Sequence, residues 1–221
     1  MTEAYYHFFK QLAVNNNRDW FQAHKDQYLL NVFNPFKVLV AEVIERMNDI
    51  DPNIQITFKE AAFRIYRDVR FSKDKSPYKL WLGAVVGRIG RKNTQYPEIY
   101  FQFGQDQNFI GAGLYRPDKA ILQKIREAIA ANPKNFNKIL RDKKILQYFP
   151  DGVQGERNKR LSKEWMAIAA KQPYILNKQF FTFKNFSKQE VMKQSNLAEY
   201  IVNHYLAMQQ WNRFLIELNN A

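Results

Sequence analysis

The N-terminal pattern of apolar and polar positions is helical. Tyr5, Phe8, Phe9 and Leu12 recur at steps of three and four. Asn15-Asn16-Asn17 breaks the pattern, and Asn17 suits the N-cap of a helix opening at Arg18-Asp19-Trp20. Asn34-Pro35 then predicts a second start, with Asn34 as cap and Pro35 in the first turn, where a missing N–H is harmless. From there Phe36, Leu39, Val40, Val43, Ile44 and Met47 mark one core-facing side.

The period changes in the middle of the chain. Ala61 to Tyr66 and Leu80 to Ile89 read as strands. Ile99, Phe101 and Phe103 alternate with Tyr100 and Gln102, the period of a half-buried strand. The turn-rich Gly104 to Asn108 predicts that Phe109 to Tyr115 returns as a hairpin arm. Helical spacing resumes after Pro117 with Ile121, Leu122, Ile125 and Ile129, stops at Asn132-Pro133, and restarts through Phe136, Ile139 and Leu140. Pro150 to Arg160 reads as a loop. Ser187-Lys188-Gln189-Glu190 has the form of a capping box, and Leu197 through Leu218 predicts one long amphipathic helix. Short connections favour an antiparallel sheet, so the expectation is a single α+β domain over 1–221, its sheet flanked by N- and C-terminal helices.

Composition narrows the chemistry. Among 221 residues there is no Cys, which excludes disulfide scaffolds, thiol catalysis and Cys-ligated metals. His7, His24 and His204 lie on separate predicted helices, so no metal or other cofactor is expected. The start lacks a secretory pattern, and the best apolar run, Leu80 to Val86, is far shorter than the roughly 18 residues a membrane span needs. A soluble, cytoplasmic protein with no membrane association is expected, and nothing in the sequence specifies its oligomeric state.

Charge changes the picture most. The formal net charge is +13. Between positions 64 and 92 stand Arg64, Arg67, Arg70, Lys73, Lys75, Lys79, Arg88, Arg91 and Lys92, opposed only by Asp68 and Asp74. Phe63, Tyr66, Phe71, Tyr78 and Trp81 interleave with them. Two readings fit this segment. One is a structural charge network in which Arg64 and Arg67 meet Asp68 and Asp74. The other is an anion site, since guanidinium forks bind phosphate or carboxylate and aromatic faces stack rings. The candidate ligand-binding residues are Arg64, Tyr66, Arg67, Arg70, Ser72, Lys73, Lys75, Tyr78 and Lys79. Arg116 joins them if the end of its hairpin lies beside the motif.

The run Phe63-Arg64-Ile65-Tyr66-Arg67-Asp68-Val69-Arg70-Phe71-Ser72-Lys73-Asp74-Lys75-Ser76-Pro77-Tyr78-Lys79 resembles the signature of an uncharacterised, mainly bacterial family, domain of unknown function 2461. The similarity extends through Asn16 to Phe21 and through Phe109 to Pro117, and so covers most of the chain. The resemblance implies a shared α+β fold and brings neither an activity nor catalytic residues.

Weaker patterns weigh less. Ser72–Lys75 and Ser76–Lys79 fit S-x-x-K, but no S-D-N or K-T-G companion is present, so lysine enrichment accounts for them. Gly111-Ala112-Gly113 lacks the third glycine of a dinucleotide fingerprint and reads as close packing on a strand. The leading expectation is a binder of an anionic small molecule or nucleic acid. The alternatives are an enzyme acting on a small anionic substrate, with Asp68 or Asp74 moving protons, and a structural role for the motif.

Overall fold

The computed structural model describes residues 1–220. Thr2 caps α1 (Glu3–Val14) and Asn17 caps α2 (Arg18–Ala23), each side chain accepting a first-turn amide. The next short helix, α3 (Lys25–Tyr28), does not stop at Asn34-Pro35. It passes through a wide π turn, Leu29–Phe33, into α4 (Asn34–Ile50). The expected cap at Asn34 is therefore corrected: its φ of −64° and ψ of −46° are helical. In the π turn the Asn34 amide donates five residues back, to the Leu29 carbonyl, immediately before Pro35, which has no N–H to donate.

A capping box between Thr57 and Glu60 starts α5 (Phe58–Ala61). Of the expected strand over Ala61 to Tyr66, Ala61 thus ends the helix and the rest is only extended chain. It touches the following arm through isolated bridges, Ala62 to Ala84 and Tyr66 to Tyr78. The sheet proper holds β1 (Trp81–Val86), β2 (Glu98–Gly104) and β3 (Phe109–Leu114). A run of helices follows: α6 (Lys119–Ala131), α7 (Pro133–Leu140), α8 (Lys143–Tyr148) and α9 (Lys163–Ala169). Then β4 (Phe180–Asn185) adds to β3, giving an antiparallel order β1-β2-β3-β4.

The capping box at Ser187 and Glu190 starts α10 (Lys188–Met192), as the sequence predicts. The expected single long C-terminal helix is instead two, α11 (Leu197–Ala207) and α12 (Gln209–Asn220), broken at the fully buried Met208 with ψ at 11°. The fold is α+β.

One face of the sheet is core. Leu82, Ala84 and Val86, then Ile99, Phe101 and Phe103, then Ile110, Ala112 and Leu114 are buried on it, with α4 and α11 packed against the sheet. Strand alternation sends Trp81, Tyr100, Phe109, Phe181 and Phe183 to the opposite face, where each is half-buried. Among the described residues no helix is long and apolar enough to cross a membrane.

Candidate functional site

The central motif folds as an irregular hairpin that continues the edge of β1. The Arg67 amide donates to the Pro77 carbonyl at 2.9 Å, and the Lys79 amide to the Ile65 carbonyl at 2.7 Å. Tyr78, buried at the base, stacks on Phe21 with centroids 4.0 Å apart and leans on Tyr66 at 5.3 Å. Beside the hairpin lies an open cavity of about 620 Å³, walled by Asn16, Arg67, Asp74, Tyr78, Lys79 and Trp81.

Within the tip, the charges pair with one another. Arg67 forms an ion pair with Asp74, and its other Nη lies 3.4 Å from the Ser72 hydroxyl. Arg70 holds Asp68 with a two-pronged contact, at 3.0 and 2.7 Å. Lys75 donates to the Val69 carbonyl at 3.0 Å. Lys73 is exposed. The Ser76 hydroxyl and amide, followed by Arg67, hold the Asp74 carboxyl well below its usual range, and Arg70 lowers that of Asp68 to about 2. Both carboxylates therefore stay ionised at neutral pH and close the loop on itself.

A second group of cations is arranged differently. The Lys79 ammonium donates to the Arg64 carbonyl at 2.8 Å and sits 4.8 Å from the ring centre of Trp81 and 5.6 Å from that of Phe63. Arg91 also lies over Phe63 at 5.6 Å, anchored through the carbonyls of Lys59 and Glu60. Among the described residues none of Arg64, Lys79 and Arg91 forms an ion pair with a carboxylate. Burial, then the charges of Arg64 and Arg91, push the Lys79 ammonium below its ordinary pKa. Arg91 was not among the site residues expected from sequence. It follows a strand and a turn, and only the fold returns it to Phe63.

Arg116 does not join this group. In the register, Trp81 pairs with Gly104 at one end of the sheet, whereas Leu114 pairs with Phe180 at the other. Arg116 lies at that far end, over Tyr115, where its charge reaches Glu98. Glu98 projects from β2 onto the outer face and accepts from Asn93 Nδ2 at 2.8 Å. Burial pushes its carboxyl up to about 7, against the opposing pull of Asn93 and Arg116.

The remaining candidates have structural places. Gly113, at φ +120°, and Gly111 lie within β3 opposite Phe181 and Phe183, where they admit close packing. Asp118 caps α6. His24 stacks on Trp20, and His204 is buried among aromatic rings.

No curated protein and no solved structure matches the chain. A family model does: by its match to residues 4–214, the chain belongs to the family described as conserved hypothetical protein (DUF2461).

Proposed function

We propose that this protein binds a phosphate- or carboxylate-bearing ligand at the edge of its sheet, with Arg64, Lys79 and Arg91 as the binding cations. The observation that carries this reading is the state of Lys79: half-withdrawn from water beside two like charges, with no carboxylate partner among the described residues. Desolvating a cation costs free energy that an arriving anion offsets. Phe63 and Trp81 supply a surface against which a ring of the ligand stacks. Arg67, Arg70, Asp68 and Asp74 hold the loop that positions Lys79. Of the other expected residues only Tyr78 lines the cavity; Tyr66 leans on Tyr78, Ser72 and Lys75 belong to the loop's own contacts, and Lys73 is exposed.

Calorimetric titration with pyrophosphate and with citrate tests this. Binding should weaken steeply with added salt, and Lys79→Gln should weaken it at least tenfold while melting temperature is retained. Affinity that is flat with ionic strength, or unchanged in Lys79→Gln, overturns the reading.

One observation favours a second reading, an enzyme acting on a small anionic substrate. A carboxyl titrating near 7 suits a general acid or base, and that group is Glu98 rather than Asp68 or Asp74. Phosphate release from a panel of phosphate esters, lost in Glu98→Gln, is its test. No turnover across the panel removes it.

A further inference from the structure

Seven aromatic rings form a continuous chain across the outer face of the sheet. Phe63 lies 6.4 Å from Trp81 and 6.1 Å from Tyr100, and Tyr100 lies 5.2 Å from Phe109. Phe109 leads at 6.3 Å to Phe183, Phe183 at 6.2 Å to Phe181, and Phe181 at 5.1 Å to Tyr115. The chain therefore begins beside β1, crosses every strand and ends past β3.

Glycines set these rings low on the sheet. Gly104 faces Trp81, Gly111 faces Phe183 and Gly113 faces Phe181. A Cβ at Gly83 would stand 2.9 Å from the Tyr100 hydroxyl and 3.2 Å from the Trp81 ring, so both rings extend over that glycine. Most neighbouring rings along the chain meet edge-on or tilted, which leaves faces uncommitted to one another.

Cations stand at both ends of this row of rings. Lys79 and Arg91 stand over Phe63 at one end, and Arg116 stands over Tyr115 at the other. Among the carboxyls nearby, Asp106 lines the cavity beside Trp81 and Lys79, and Glu98, on the face itself, is held partly protonated by burial at neutral pH. A row of ring faces with cations at both ends complements a flexible polyanion whose repeating unit carries a flat ring. Single-stranded nucleic acid has that chemistry: its bases stack on aromatic side chains, and its phosphates meet Lys and Arg.

We infer that the outer face of the sheet is a binding platform for single-stranded nucleic acid, entered at Lys79 and Arg91 and left at Arg116. This rests on the anion site proposed above and extends it from one phosphate to a strand.

Fluorescence anisotropy with a labelled 12-nucleotide oligo-dT, its oligo-U counterpart and an abasic strand of equal length separates the two claims. The base-bearing strands should bind at least tenfold more tightly than the abasic strand. Phe109→Leu and Phe183→Leu should erase that preference without weakening the abasic strand, and Lys79→Gln should weaken all three. Equal binding of abasic and base-bearing strands overturns the platform and leaves the anion site standing. If no strand binds while pyrophosphate does, the platform also falls; if neither binds, both claims fall. Tighter binding of poly-glutamate than of oligo-dT replaces the nucleic acid with an acidic protein partner. Quenching of tryptophan emission by oligo-dT in the unmodified protein, lost in Trp81→Phe, reads the same stacking without a leucine variant. Its absence counts against the platform.

Discussion

The side-chain amide of Asn16 holds the backbone of Tyr78 from both directions. Its Nδ2 donates to the Tyr78 carbonyl at 2.9 Å, and the Tyr78 amide donates to its Oδ1 at 3.1 Å. Asn16 thus pairs with the hairpin as a neighbouring strand would, and ties the segment after α1 to the charged motif. Replacing it with Leu strands two part-buried backbone groups. Urea denaturation should show a loss of about 1–3 kcal/mol for Asn16→Leu. Asn16→Asp keeps the acceptor, loses the donor and should fall between.

Asp74 both ends the motif's turn and neutralises Arg67. Its Oδ1 accepts from the Ser76 amide at 2.9 Å and hydroxyl at 2.6 Å, while the other oxygen meets Arg67. Asp74→Asn preserves an acceptor for the turn and removes the charge. Pyrophosphate affinity at low salt should then rise by about threefold, and the gain should vanish at high salt. A loss of affinity would show that Arg67 must stay paired for the site to form.

Much of the fold was legible because burial there is one-sided. The spacing in α1 and α4 and the alternation of Ile99, Phe101 and Phe103 each record a single core-facing side. The strand β4 was not legible, because Phe180 faces the core while Phe181 and Phe183 face outward, so no period of two shows. The break at Met208 was hidden because an unbroken apolar spacing runs through it without Pro or Gly. At the candidate site, sequence showed the excess of cations and not their pairing. Whether Arg67 meets a carboxylate depends on the turn at Asp74, whereas Arg70 takes Asp68 two residues away and Arg64 takes none among the described residues. Glu98 showed nothing unusual in sequence, since its burial depends on chain brought against it by the fold, such as Gly87, where an added Cβ would lie 3.0 Å from that of Glu98.

Gly83 is where the outer rings lie closest to the backbone. A methyl group there would meet Tyr100, the Trp81 ring and the Phe101 carbonyl, the last at 3.2 Å. The two rings can swing outward, but the carbonyl cannot. Gly83→Ala should therefore cost about 1 kcal/mol in thermal or chemical denaturation. It should also shift the Trp81 emission maximum as that ring becomes more hydrated. A variant with unchanged emission would show that the rings do not rest on this glycine.

Two buried groups should give this protein opposing pH dependences that mask each other. Burial raises the Glu98 carboxyl from 4.5 to about 7, so between those values the folded state holds a proton that the unfolded state has released. Stability therefore falls as pH rises through that window, by up to ~3 kcal/mol. His204, enclosed by Tyr148, Phe149, Phe186 and Tyr200, behaves oppositely. Burial lowers its ring from 6.5 to about 4, with Lys184 adding to the effect against the Tyr200 carbonyl. The unfolded state then binds the extra proton, and stability rises as pH climbs from about 4 to 6.5, by a similar amount. Carboxylates held low by partners, such as Asp51 and Asp74, titrate beneath this range and add their losses only in stronger acid. The unmodified protein should accordingly show a nearly level free energy of unfolding between pH 4.5 and 6.5. Glu98→Gln should turn that plateau into a rise with pH, and His204→Phe should turn it into a fall. If both variants keep the plateau, neither group is withdrawn from water to the extent that the structure shows.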